Sequence, residues 1–172
     1  MSYRSWKPVV RQLEAKVAPF TESQRKVTQA LGIHLNGQLP KNVVAAMIED
    51  HLKPLIRDRQ PPAATDRQLE LLRELKHPGD LEDISASVAS AWIEHHLDVL
   101  NLHILKEMKF KAGGTVALVR DCIDITTGEI YPEPRIRTIS SIDRRGRLHF
   151  QGGGGQGAWP SQVIGVDYTE TE

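Results

Sequence analysis

Thr21-Glu-Ser-Gln24 and Thr65-Asp-Arg-Gln68 open two copies of one pattern, and their reading decides the fold of the first two thirds of the chain. Leu31 answers Leu75, and Ala46-Met-Ile-Glu-Asp-His-Leu52 answers Ala91-Trp-Ile-Glu-His-His-Leu97. The offset is 44 residues at the first landmarks and 45 at the last, so a one-residue insertion falls in the loop between them. Repeated units of this kind pack on one another, because one unit does not bury its own apolar face.

Each copy reads as a helical hairpin. Thr-x-x-Gln is a capping box, in which the Thr hydroxyl accepts from a free N–H and the Gln side chain accepts from the cap's own N–H. Val27, Ala30 and Leu31 follow at helical spacing in the first copy, as do Leu69, Leu72 and Leu75 in the second. Gly32 stands at a natural stop for the first helix, and the second copy's helix is expected to end near His77-Pro-Gly79. Pro40 and Ser85 start the second helices. That of the second copy is expected from about Ser85 to Met108, with Pro54 shortening or kinking its counterpart. Before the repeats, Pro8 to Val17 reads as a short amphipathic helix, and Arg57 to Ala64 as a linker.

From Gly113 the period changes from 3.6 to 2. Thr115–Val119, Cys122–Ile125, Arg135–Ile142, Leu148–Phe150 and Ile164–Val166 alternate or run apolar as strands do, with a tight turn at Asp143-Arg-Arg-Gly146 and a helical turn at Trp159–Val163. The expected fold is therefore α+β. A helical domain over 1–110 carries the repeats at 21–52 and 65–97, a small barrel covers 111–168, and an acidic tail over 169–172 is expected to be disordered.

Five short strands with a turn before the last resemble SH3-like barrels of the Tudor and KOW kind. That resemblance covers about Lys111 to Asp167. The repeat, with Leu39-Pro-Lys41 and Ala45-Ala-Met-Ile48, resembles a small helical module of bacterial and phage proteins, some of which attach it to DNA-processing enzymes. The second copy departs from it, with Ile84-Ser-Ala86 where the lysine would stand. The module implies a nucleic-acid-processing context and no chemistry.

Composition narrows the functions. Lys plus Arg equals Asp plus Glu at 22 each, which excludes a surface that is cationic all round but leaves room for a local basic patch. The single cysteine, Cys122, permits no internal disulfide and reads as a small core residue. No apolar run of about 18 residues is present and the first residues lack a signal peptide's apolar stretch, so a cytoplasmic location and no membrane partner are expected.

Seven histidines invite a metal reading, and two of them, His51 and His96, recur in the repeat. Each follows Glu49 or Glu94 by two residues, and positions two apart on a helix face away from each other. No His-x-x-x-His or His-Glu-x-x-His spacing occurs, so no metal is expected. The run Gln151-Gly-Gly-Gly-Gly-Gln-Gly157 lacks the Gly-Lys-Ser/Thr and following helix of a phosphate loop, and reads as a hairpin tip able to close over a ligand. No nucleophile elbow or kinase-like signature appears, so neither an enzyme nor a cofactor is expected.

The basic residues form the one suggestive constellation. Lys106, Lys109 and Lys111 end the long helix and enter the barrel, while Arg135, Arg137, Arg144, Arg145 and Arg147 crowd the middle hairpin. Tyr131, Phe150 and Trp159 offer ring faces in the same half of the chain, with Phe150 also expected in the barrel core. Cations for phosphates and rings for bases are what single-stranded nucleic acid requires. Against this, Lys111 to Glu172 holds 7 basic and 8 acidic residues, so the segment as a whole is slightly acidic. Two expectations stand: a non-enzymatic accessory protein that binds DNA or RNA or docks on a nucleic-acid-processing assembly, and a protein adaptor without nucleic-acid contact.

Overall fold

The structure, a computed structural model, describes residues 2, 3, 5–122, 127, 129 and 135–165. Tyr131, the strand expected to reach Ile125, Val166 and the tail 169–172 lie outside the described residues. The chain combines an N-terminal helical region with a C-terminal antiparallel sheet. In order the elements are β1 (Ser2–Tyr3), α1 (Trp6–Lys16), α2 (Glu22–Ala30), α3 (Lys41–Arg57), α4 (Asp66–Glu74) and α5 (Ala86–Met108). Then follow β2 (Thr115–Leu118), α6 (Val119–Cys122), β3 (Ile136–Asp143), β4 (Leu148–Phe150), β5 (Gly157–Ala158), a 3-10 turn (Pro160–Gln162) and β6 (Val163–Gly165). They divide into two compact units, one of Met1–Glu14 with Leu100–Glu172 and one of Ala15–Val99.

Within Ala15–Val99 the same hydrogen bonds recur at the offsets of the sequence pattern. Thr21 Oγ1 accepts from Gln24 N at 3.2 Å and Gln24 Oε1 from Thr21 N at 2.9 Å; the Thr65–Gln68 pair repeats this at 3.3 and 2.9 Å. Each glutamine then uses its other end on the next helix of its own copy. Gln24 Nε2 donates to Lys41 O at 2.7 Å, and Gln68 Nε2 to Ala86 O at 3.0 Å. A short backbone pairing beside them also repeats, Phe20 N to Leu39 O at 3.0 Å and Ala64 N to Ile84 O at 2.9 Å.

The helix ends match as well. Ile33 N donates to Thr28 O and His77 N to Leu72 O, closing α2 and α4 through a residue in the left-handed region. That residue is Gly32 at φ 69° in the first copy and Lys76 at φ 54° in the second. The second helix thus stops at Glu74, before the expected His77-Pro-Gly79, because a lysine takes a conformation that glycine adopts more easily. Pro54 falls in the last turn of α3, which runs on to Arg57; α3 has 17 residues against 23 in α5.

Asp50 of α3, buried, joins the two copies: its carboxylate accepts from Ser85 Oγ, from Ser87 Oγ and from Lys53 Nζ at 2.8 Å. Burial by itself would raise the Asp50 pKa, and these hydrogen bonds outweigh it and hold the carboxyl below its usual value.

In the other unit the sheet order is β5-β4-β3-β2-β6, with β1 also on β3, and every pairing is antiparallel. A bulge between Ile139 and Ser141 shifts the register of β3 against β4. Val9, Leu13, Leu105, Val116, Ile139, Ile142 and Leu148 are buried together with this sheet. Val119, expected to end a strand, and Cys122, expected to begin one, lie instead in α6. The turned chain carries Asp121 to within 3.1 Å of Arg137 on β3, an ion pair that a continuing strand would not make locally.

Candidate nucleic-acid interface

Antiparallel pairing sets the start of β3 beside the end of β4. Ile139 faces Phe150, and Gln151 N donates to Thr138 O at 2.9 Å. The glycine run therefore turns back next to Arg135 and Arg137. Gly152, Gly154 and Gly155 have φ of 65°, 54° and 84°, a sequence of left-handed residues that side chains would resist, so the run is needed for the shape of the turn. Gln156 N donates to Gly153 O at 2.8 Å and closes it.

Between these segments lies a groove of about 460 Å³, lined by Arg135, Arg137, Phe150, Gln151, Gly152 and Gln156 among others. The two arginines differ. Arg137 is engaged: Nη2 is 3.1 Å from Asp121 Oδ2, Nη1 is 3.5 Å from Gln156 Oε1, and the guanidinium lies over the Phe150 ring, 5.7 Å from its centroid. Only 12% of its side chain is exposed. Arg135 is exposed and makes no ion pair among the described residues. The groove thus offers an open cation at its mouth, a held guanidinium on a ring, and two exposed carboxamides opposite.

The other basic residues of the constellation are elsewhere. Arg144 and Arg145 lie in the turn after β3, separated from Arg137 by up to about 25 Å of strand at roughly 3.3 Å per residue. Asp143 Oδ1 holds that turn, accepting from Arg145 N at 2.8 Å and Arg147 N at 3.1 Å. Arg147 Nη2 donates to Gly157 O at 3.1 Å, a structural use that ties β4 to β5. Lys106 pairs with Glu14 at 2.6 Å. Lys109 sits in the left-handed region at φ 49° and is exposed, as is Lys111. Trp159 is half-buried, with its backbone N–H held by Gln162 Oε1 at 2.9 Å, and does not line the groove. Of the ten residues singled out, the structure brings Arg135 and Arg137 together in one site. It places Phe150, also named from the sequence, beside them, and adds Gln151 and Gln156, whose common placement depends on pairing between distant segments.

A second cluster escapes periodicity altogether. His77 Nδ1 lies 3.0 Å from His96 Nε2, and Trp92 packs on both rings, 4.5 Å from His77 and 5.6 Å from His96. Burial lowers the pKa of His77, His95 and His96, and the neighbouring His96 lowers His77 and His95 further. One imidazole of the bonded pair donates and the other accepts, so the contact needs a neutral acceptor. Glu94 and Asp98 turn to Lys16, at 2.7 and 2.6 Å. Burial pushes the Asp98 carboxyl up, and the Lys16 ammonium only partly offsets this. Among the described residues no group of three or more His, Cys, Asp or Glu side chains could hold a metal ion.

Comparison of the chain with protein-family models, with curated proteins and with solved structures finds no match.

Proposed function

We propose that the protein is a non-enzymatic, cytoplasmic accessory factor that binds nucleic acid through the groove at the start of β3. The sheet unit acts as an SH3-like barrel and the duplicated helical hairpins as the scaffold that docks it on a nucleic-acid-processing assembly. One observation carries this reading: Arg135, Arg137, Phe150 and two glutamine side chains line a single concave site. A cation for phosphate, planar groups for bases and carboxamides for base edges are the groups such a ligand meets. No described helix is long and apolar enough to cross a membrane.

The test is a fluorescence-anisotropy series with single-stranded and duplex DNA and RNA at rising salt. Binding weakens as salt rises, because phosphate contacts release counterions. Arg135→Ala abolishes most of it, whereas Arg144→Ala with Arg145→Ala changes it little. Failure of every polynucleotide to bind at low salt sinks the proposal.

A protein-adaptor role is favoured by a different observation. Leu55 and Ile56, consecutive near the end of α3, are 71% and 73% exposed. Two neighbouring aliphatic side chains left in water are what a partner would cover. In that case a Leu55→Ser, Ile56→Ser variant loses its partner in a pull-down while oligonucleotide binding is unaffected.

A further inference from the structure

We infer that the groove receives a single unpaired nucleotide of a strand, its phosphate on Arg135 and its base against Arg137, rather than a length of duplex; this rests on the nucleic-acid reading above. The first ground is shape. Reading duplex DNA requires a helix or two-stranded ribbon that protrudes into a groove about 12 Å wide. Here the protein is the concave partner, so the inserted element comes from the ligand. A volume of about 460 Å³ falls within the roughly 300–1,000 Å³ of small-molecule sites, the scale of one nucleotide. A base projects in this way only when it is unpaired.

The second ground is charge. Arg137 is matched by Asp121 at 3.1 Å, which leaves Arg135 as the uncompensated cation of the groove among the described residues. One open cation suits one phosphate. The Asp121 carboxylate repels a second phosphate on the Arg137 side, and Arg144 and Arg145, in the turn at the far end of β3, are too distant to serve the same nucleotide. A track in which successive phosphates each meet a cation is not formed by these side chains.

The third ground is what the base meets. Guanidinium planes stack nucleobases, and the Arg137 guanidinium is fixed in position by the Phe150 ring, whose centroid is 5.7 Å away, and by Asp121 at its end. Gln151 and Gln156, both exposed at the groove, each carry a donor and an acceptor for a base edge. The ion pair thus makes Arg137 a surface for the base, with its charge compensated by Asp121.

The experiment uses the full chain, a labelled single-stranded homo-oligonucleotide of each base, the matching duplexes, and unlabelled nucleoside monophosphates and nucleosides as competitors. Single strands bind at least tenfold more tightly than duplexes, and monophosphates compete where nucleosides do so at least tenfold more weakly. Log K falls by about 0.7 per tenfold rise in salt, the value for one phosphate on a single strand. Arg135→Ala flattens that slope. Arg137→Lys keeps a cation for Asp121 but loses the plane, and weakens binding about tenfold with the slope unchanged. Gln151→Ala with Gln156→Ala also keeps the slope and evens out the order of preference among the four bases. A duplex bound as tightly as the single strand, or a slope of about 2.8 or more (four phosphates), overturns this inference and leaves the nucleic-acid reading standing. No polynucleotide bound at low salt overturns both.

Discussion

The helical hairpins and the groove use the same kinds of side chain in opposite ways. In Ala15–Val99 the glutamines of Thr-x-x-Gln are occupied at both ends, capping one helix and donating to the next. In the groove Gln151 and Gln156 are exposed, and Gln156 Oε1 only touches Arg137 at 3.5 Å. Asp50 is enclosed by two hydroxyls and an ammonium, while Arg135 faces solvent. Polar groups whose hydrogen bonds are completed within the chain hold a fold; those left incomplete at a concave surface are open to a ligand. The duplication is therefore the conspicuous feature of the sequence and the less informative one about function.

The sharpest way to break this contrast is in the hairpin core. Leu72 is fully buried, and the matching position of the first copy is Thr28, also buried, with its hydroxyl on Arg25 O at 2.9 Å. Leu72→Ala should cost about 2–5 kcal/mol in urea unfolding, the range for truncating a buried leucine. Thr28→Val removes a local hydrogen bond and fills the same space, and should cost about 1 kcal/mol. If the two copies contribute alike as scaffold, Leu72→Ala leaves oligonucleotide affinity unchanged wherever the variant is folded.

The next effect compares the two copies directly. Gln24→Ala and Gln68→Ala each delete a cap and an interhelical hydrogen bond, and each should lower stability by about 1–2 kcal/mol. Similar losses in both copies indicate that the repeated motif does the same physical work twice. A loss confined to one copy would show that the motif has become ornamental in the other.

A third test uses pH, because only the second copy carries the histidine cluster. His77, His95 and His96 have pKa values lowered by burial, so the unfolded chain takes up protons more readily than the folded one as pH falls below about 6.5. Their contribution is thus fully present above neutral pH and is lost progressively as pH falls through 6.5 toward the lowered folded values. Asp98, raised by burial, works in the opposite sense, gaining stability as pH falls. The urea midpoint should therefore decline between pH 7.5 and 5.5. A His77→Asn, His96→Gln variant should show a shallower decline, with Asp98 intact in both proteins.

Much of the helical region is legible in the sequence because its determinants are local. Thr21 and Gln24 are three residues apart and form a capping box whatever surrounds them, and Leu69 and Leu72 reveal their face by spacing alone. Lys76 is not legible, since nothing in Leu75-Lys-His77 announces a left-handed lysine; only the match to Gly32 hints at it. His77 and His96 are 19 residues apart with no motif between them, and meet because the turn after α4 sets His77 against Trp92 and His96 of α5. The basic constellation is split for a related reason. Proximity in sequence grouped Arg135, Arg137, Arg144 and Arg145, yet an extended strand carries its two ends apart, while the hairpin return of β4 brings Gln151 and Gln156 back to the first pair. The residue that matters most for Arg137, Asp121, lies 16 positions away, between two segments read as strands, and is found in a helical turn.

Asp121 also gives the finest test of the contrast. Asp121→Asn keeps the shape of the side chain and a hydrogen-bond acceptor for Arg137 but removes the negative charge. Stability should change little, by about 0.5–1 kcal/mol or less, because a partly exposed ion pair contributes modestly. Affinity for a single strand should rise, since Arg137 now presents an uncompensated charge beside Arg135. The salt dependence should steepen by about 0.7 in log K per tenfold change, the addition of one phosphate contact. A variant that instead binds more weakly would mean that the carboxylate positions Arg137 and does not shield it, and that the groove needs its ion pair intact. Either result is read in one salt titration beside Arg135→Ala, where the slope moves the other way.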